Sequence, residues 1–118
     1  MIRSYEDIEA YRRAYKSSLE IHKLTLTFPK HELQELGGQM RRSTKSIAMN
    51  IAEGHGKRAS AAEFKRFIIM AIGSCDGVRV QLNYCKDLKY VDEVQYKVLN
   101  DEYIEIGKML TALHKNWK

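Results

Sequence analysis

Helix breakers are scarce in this chain. One proline, Pro29, and seven glycines serve 118 residues. That is too few for the turns of a many-stranded fold, so long helices are favoured. The two cysteines, Cys75 and Cys85, make no disulfide framework. On one helix they would stand about 15 Å apart along the axis, beyond bonding reach. They read as small apolar residues in a reducing compartment. No apolar run approaches the roughly 20 residues that span a bilayer. Met1-Ile2-Arg3-Ser4 leads straight into a polar helix pattern, which is not that of a signal peptide. The expectation is one cytoplasmic domain covering residues 1–118, large enough to hold its own core.

Charge is abundant and unevenly placed. From Gln39 to Arg66 stand Arg41, Arg42, Lys45, Lys57, Arg58, Lys65 and Arg66 against two acids, Glu53 and Glu63. The surplus of five cations equals the whole formal net charge, +5. A pI near 9.2 favours an acidic partner such as nucleic acid. Gly54-His55-Gly56 breaks the stretch. It reads as the end of one helix, a basic loop and the start of the next. The cations are therefore expected at one helical corner.

Hydrophobic spacing divides the chain into four helices. The first starts near Ser4, whose hydroxyl and the acid Asp7 three residues on suggest a capping box. Its apolar stripe runs through Ile8, Tyr11, Tyr15, Leu19, His22 and Leu26, widened by Ala10, Ala14 and Ile21, and Phe28-Pro29 ends it. The second begins at His31 or Glu32 with Leu33, Leu36, Met40, Ile47 and Ile51 facing inward, and Gly54 is expected as its terminating glycine after Glu53. A loop spans His55 to Ala59. Ser60-Ala61-Ala62-Glu63 reads as a capping box for the third helix, which carries Phe64, Phe67, Ile68, Ala71, Ile72, Cys75, Val78, Leu82 and Cys85. Asp92 or Val91 caps the fourth, where Tyr96, Leu99, Tyr103, Ile106, Leu110, Leu113 and Trp117 alternate steps of three and four. Short connections make antiparallel neighbours. The reading is an all-α, up-down-up-down four-helix bundle.

Catalytic signals fail one by one. His31-Glu32-Leu33-Gln34-Glu35 lacks the second histidine of a zinc helix. The histidines His22, His31, His55 and His114 fall on different elements and read as surface groups, with His22 at a helix boundary. Gly56-Lys57 lacks both the upstream glycine and the following hydroxyl of a phosphate loop, since Ile51 and Arg58 stand there. No nucleophile–base arrangement stands out. No metal, cofactor or enzymatic activity is expected. Asn50, beside the second helix's stripe, reads as a structural residue that fixes register or bonds backbone. The basic stretch remains as the candidate, because lysine and arginine neutralise phosphates with little sequence preference. Its only aromatics, Phe64 and Phe67, belong to the core stripe, which favours backbone contacts over base stacking.

Phe28-Pro29-Lys30-His31-Glu32, Leu36, Gln39-Met40-Arg41-Arg42-Ser43 and Ser46-Ile47-Ala48-Met49-Asn50-Ile51-Ala52-Glu53-Gly54 carry a resemblance. They resemble the signature of the bacterial four-helix bundle proteins encoded in intervening sequences of large-subunit ribosomal RNA. The likeness continues through Glu63-Phe64, Phe67, Ala71 and Gly73-Ser74 to Gln81-Leu82. The family is similar to the accessory variability protein of diversity-generating retroelements. The resemblance implies a homopentameric barrel with a positive surface, and for the retroelement relatives binding to nucleic acid and a reverse transcriptase. It marks Asn50, Glu53 and Gly54 as signature positions. Gly77 and Arg79 depart from it, standing where the family carries glutamates, which implies a different or more basic subunit contact.

Two expectations follow. One is a non-enzymatic, oligomeric, nucleic-acid-binding accessory protein. The other is a homo-oligomeric scaffold for a protein partner, motivated by an apolar surplus at Tyr5, Phe28, Met109 and Trp117.

Overall fold

The computed structural model describes all residues from Met1 to Lys118. Four α-helices carry the fold: α1 Glu9–Thr25, α2 Leu36–Gly56, α3 Ala61–Asp87 and α4 Glu93–Asn116. No strand is present. The molecule measures 45 × 24 × 19 Å, a rod along the helix axes. Pairs across α2 and α3 step in opposite directions, from Ser43/Gln81 through Ser46/Ser74 to Gly54/Phe67. Arg41/Thr25 and Lys45/His22 do the same across α2 and α1. The helices are thus antiparallel neighbours in chain order. The ring closes where α1 meets α4, the lightest of the helix pairings. An Arg13–Glu102 ion pair ties α1 to α4 there.

The entry to α1 differs from the sequence reading. Ser4 caps a single 3-10 turn, Tyr5–Asp7, in a full capping box with Asp7. Ile8 is then extended, and α1 begins at Glu9. Backbone bonds to Arg3 and Ser4 hold the Asp7 carboxyl below its ordinary pKa. At the other end α1 stops at Thr25, ahead of Phe28-Pro29, and a 3-10 turn at Lys30–Glu32 delays α2 to Leu36. Glu35, the residue before α2, has ψ −96° and supplies no side-chain cap.

The inward face of α1 is also corrected. Tyr15, Leu19 and Leu26 are about half exposed. Ile8, Ala10, Ala14 and Ile21 of the expected stripe are buried, joined by Ser17, Ser18 and Thr25, which the spacing did not mark. Small side chains let α1 lie close to its neighbours, and two hydroxyls satisfy themselves on the preceding turn. Ser18 Oγ donates to the Tyr15 carbonyl at 2.6 Å and Thr25 Oγ1 to the His22 carbonyl at 2.8 Å. The large apolar residues, a quarter turn away, are left outside.

The other stripes hold. Leu36, Met40, Ile47 and Ile51 of α2 are buried, as are Phe64, Phe67, Ile68, Ala71, Cys75, Val78, Leu82 and Cys85 of α3. Tyr103, Ile106 and Leu110 form the buried centre of α4, with Tyr96, Leu99, Leu113 and Trp117 half-buried around it. Phe28 is buried, Trp117 stacks on Phe64 at 3.9 Å, and Met109 packs on the core, so most of the supposed apolar surplus is absorbed. Lys89 takes φ 64° after α3, and the Tyr90 N–H returns to the Cys85 carbonyl at 2.8 Å, a left-handed helix stop. Asp92 and Gln95 then form a reciprocal capping box that starts α4.

Candidate nucleic-acid interface

The basic residues form two groups, not one corner. α2 continues through Gly54 and His55 to Gly56. Along a helix, Lys45 and Lys57 are about 18 Å apart at 1.5 Å rise per residue. Arg41, Arg42 and Lys45 lie beside the C-terminal half of α1, where Lys45 Nζ is 3.3 Å from His22 Nδ1. Lys57, Arg58, Lys65 and Arg66 surround the α2–α3 connection. Nearness in sequence became distance in space because most of the intervening residues are helical and each adds rise along the axis of α2.

At the connection, the His55 carbonyl near the end of α2 accepts both the Arg58 N–H at 3.2 Å and Arg58 Nη1 at 2.9 Å. Arg66 lies over the Phe67 ring at 4.6 Å and Lys57 at 5.8 Å, so one ring carries two cations. Ser60 accepts the Glu63 N–H, but Glu63 does not complete the expected capping box. Its carboxylate meets the Arg66 Nε at 3.1 Å instead. That hydrogen bond lowers the Glu63 pKa and raises that of Arg66. Of the seven cations only Arg66 has a carboxylate within ion-pair distance.

Arg41 is occupied differently. Its guanidinium donates to Thr25 Oγ1 at 2.8 Å and to the Leu33 carbonyl at 2.7 Å. It pins α2 to α1 and to the intervening connection, and is half-buried. Arg42 and Lys45 are exposed.

His55 is not a surface histidine. It is 4% exposed, its Nε2 has no partner, and Arg58 Nη1 stands 3.5 Å from its Nδ1. Burial, with the Arg58 charge behind it, pushes its pKa below the ordinary value.

The signature positions separate into three roles. Asn50 is half-buried and donates to the Ser46 carbonyl of its own helix at 2.9 Å, so it fixes no register between helices. Register across α2 and α3 falls to Ser46 Oγ, which meets Ser74 Oγ at 2.7 Å, and to Gln81 Nε2, which meets Ser43 Oγ at 3.0 Å. Glu53 is exposed and forms no ion pair. Gly54 is the contact glycine: a Cβ there would lie 2.8 Å from Phe67 Cβ. Arg79 turns to Asn100 Oδ1 of α4 at 3.2 Å, within the same chain.

Sequence reasoning missed an aromatic groove between α1 and α2. Tyr5, Tyr11 and Tyr15 line it, with Lys45 and Met49 opposite. The signal lies in the four-residue spacing of Tyr11 and Tyr15, which reads equally as an inward stripe, and in Tyr5, which reads as apolar surplus. No group of three histidine, cysteine or acidic side chains gathers as a metal site. No helix is long and apolar enough to cross a membrane.

These features define a class: a small all-α bundle with a surplus of cations along α2 and the start of α3. The chain belongs to the 23S rRNA-intervening sequence protein family, whose pattern it matches over residues 6–112. Its fold is similar to a crystal structure from Bacteroides thetaiotaomicron, described as a protein with unknown function from the S23 ribosomal protein family. The two share 22% identity over 91% of this chain and 96% of the other, with a TM-score of 0.82. Comparison with curated proteins gave no match.

Proposed function

We propose that this protein is a non-enzymatic, oligomeric nucleic-acid-binding accessory factor that grips phosphate backbone. One observation carries the reading: residues 39–66 hold seven cations against two acids, a surplus equal to the whole net charge of +5, and Arg42, Lys45, Lys57, Arg58 and Lys65 among them have no carboxylate partner. Such a local surplus of cations favours a polyanion. Arg41 is withdrawn from the contact set because its donors are taken, and Arg66 is shared with Glu63.

Filter binding with a structured RNA at two salt concentrations tests this. Affinity should fall as salt rises, by roughly 0.7 to 0.9 in log–log slope per phosphate contacted. Replacing Arg42, Lys45, Lys57 and Lys65 with alanine should weaken binding and flatten the slope. Absence of binding at low salt, or binding indifferent to those replacements, removes the proposal.

A scaffold for a protein partner, such as a reverse transcriptase, is the second reading. It is favoured by exposed apolar residues along α3: Ile69, Met70, Val80, Tyr84 and Leu88. Gly73 and Gly77 lie among them with open space where a Cβ would be. Such a flat face suits a subunit contact of the pentamer implied by the family likeness. Mass measurement in solution tests it, and a monomer at micromolar concentration defeats it.

A further inference from the structure

We infer that the groove between α1 and α2 receives unpaired nucleobases, so that the protein prefers single-stranded to duplex nucleic acid. The inference rests on the phosphate-binding reading above and names the form of nucleic acid taken.

The groove has a volume of about 370 Å³, within the range of small-molecule sites. One wall is an aromatic ladder. Tyr5 meets Tyr11 edge-on at 4.8 Å, and Tyr11 meets Tyr15 near-parallel at 6.1 Å. Tyr15 is 52% exposed, so the ladder ends in a ring open to solvent. Leu19 extends this wall, and Met49 faces it from α2. The lining contains one cation, Lys45, and no acid. Lys45 is also a member of the unpaired basic set, with Arg42 one turn before it on α2. A stacking surface and a backbone-neutralising cation therefore share one groove. That combination holds single strands, because every base has a π-face and the backbone needs a positive track.

Chemistry distinguishes this occupant from an apolar helix of a second copy. The groove's one charged lining residue is Lys45, with no acid beside it, which suits an anionic strand better than a second copy of a chain of net charge +5. Here three of the lining residues are phenols, which add hydroxyl donors to their ring faces. In a duplex the bases are already stacked and closed to such a wall.

Fluorescence anisotropy of the full chain with labelled oligouridylate and with a blunt-ended RNA duplex of equal strand length, at low salt, tests the inference. The wild type should bind oligouridylate more tightly. Tyr15→Ala should weaken oligouridylate binding by about 5- to 150-fold and leave duplex binding unchanged. Tyr15→Phe should retain the wild-type preference. Circular dichroism and light scattering of each variant check folding and assembly. Equal loss on both probes, or no loss on either, overturns the groove while the phosphate reading stands. A Tyr15→Ala variant that changes oligomeric state without changing strand preference overturns it in favour of a subunit contact. If the wild type binds neither probe, both the groove and the phosphate reading fall.

Discussion

Arg41 of α2 reaches Thr25 of α1 through a 2.8 Å hydrogen bond to Oγ1, and that contact fixes how the first two helices lie together. The same guanidinium holds the Leu33 carbonyl in the connection between them. Thr25 is fully buried and spends its own hydrogen on the His22 carbonyl, so Arg41 is its donor.

Arg41→Ala should therefore destabilise the fold by about 1 to 2 kcal/mol, by removing the charged donor to the Thr25 oxygen and to the Leu33 carbonyl. Arg41→Lys should not restore it, since a lysine lacks the planar fork that reaches both acceptors. Thermal or urea unfolding reads this directly. In the filter-binding assay the salt slope should remain that of the wild type. A change of slope without a change of stability would return Arg41 to the phosphate-contact set.

Gly54 and Gly73 make opposite predictions. At Gly54 a methyl would press on Phe67 Cβ, which is fixed to the backbone, and on the Phe64 carbonyl at 3.3 Å. Overpacking of this kind costs about 1 to 3 kcal/mol, more than the roughly 1 kcal/mol of helix propensity gained. At Gly73 nothing lies within 4 Å, so only the propensity gain remains. The expected order of melting temperature is Gly54→Ala below wild type and Gly73→Ala above it. Equal melting of the two variants would refute the close helix approach.

His55 makes stability depend on pH. Burial, then the Arg58 charge, lowers its folded-state pKa below the ordinary 6.5, with Asp7 opposing. The unfolded chain thus binds the proton more readily, so stability rises with pH across the window between the two values. As pH falls from about 6.5 toward the folded value, stability should be lost. Urea unfolding across that range should show the slope, and His55→Gln should flatten it. An identical pH profile in the variant would show that other groups govern it.

The thiols should be silent in the native state. Burial raises the Cys75 pKa to about 11 and that of Cys85 to about 12. Only the thiolate reacts. Cys75 Sγ also donates to the Tyr103 carbonyl at 3.1 Å. A thiol reagent at mildly alkaline pH should label neither until denaturant opens the bundle, and labelling should then track unfolding. Fast labelling of the folded protein would contradict the buried placement.

The sequence alone determined the number, order and type of the helices, and the inward stripes of α2, α3 and α4. Those follow from the 3.6-residue period, which is a local property of the chain. It also determined the family and the surplus of positive charge. Tertiary structure decided which face of α1 turns inward. Alternatives there differed by a quarter turn, and close packing favoured alanines and self-satisfied hydroxyls over tyrosines. It likewise decided that Gly54 sits inside a helix against Phe67. It also brought three tyrosines from the start of the chain beside Lys45. Each of these depends on the distance between helices, which the residues of any single helix do not encode.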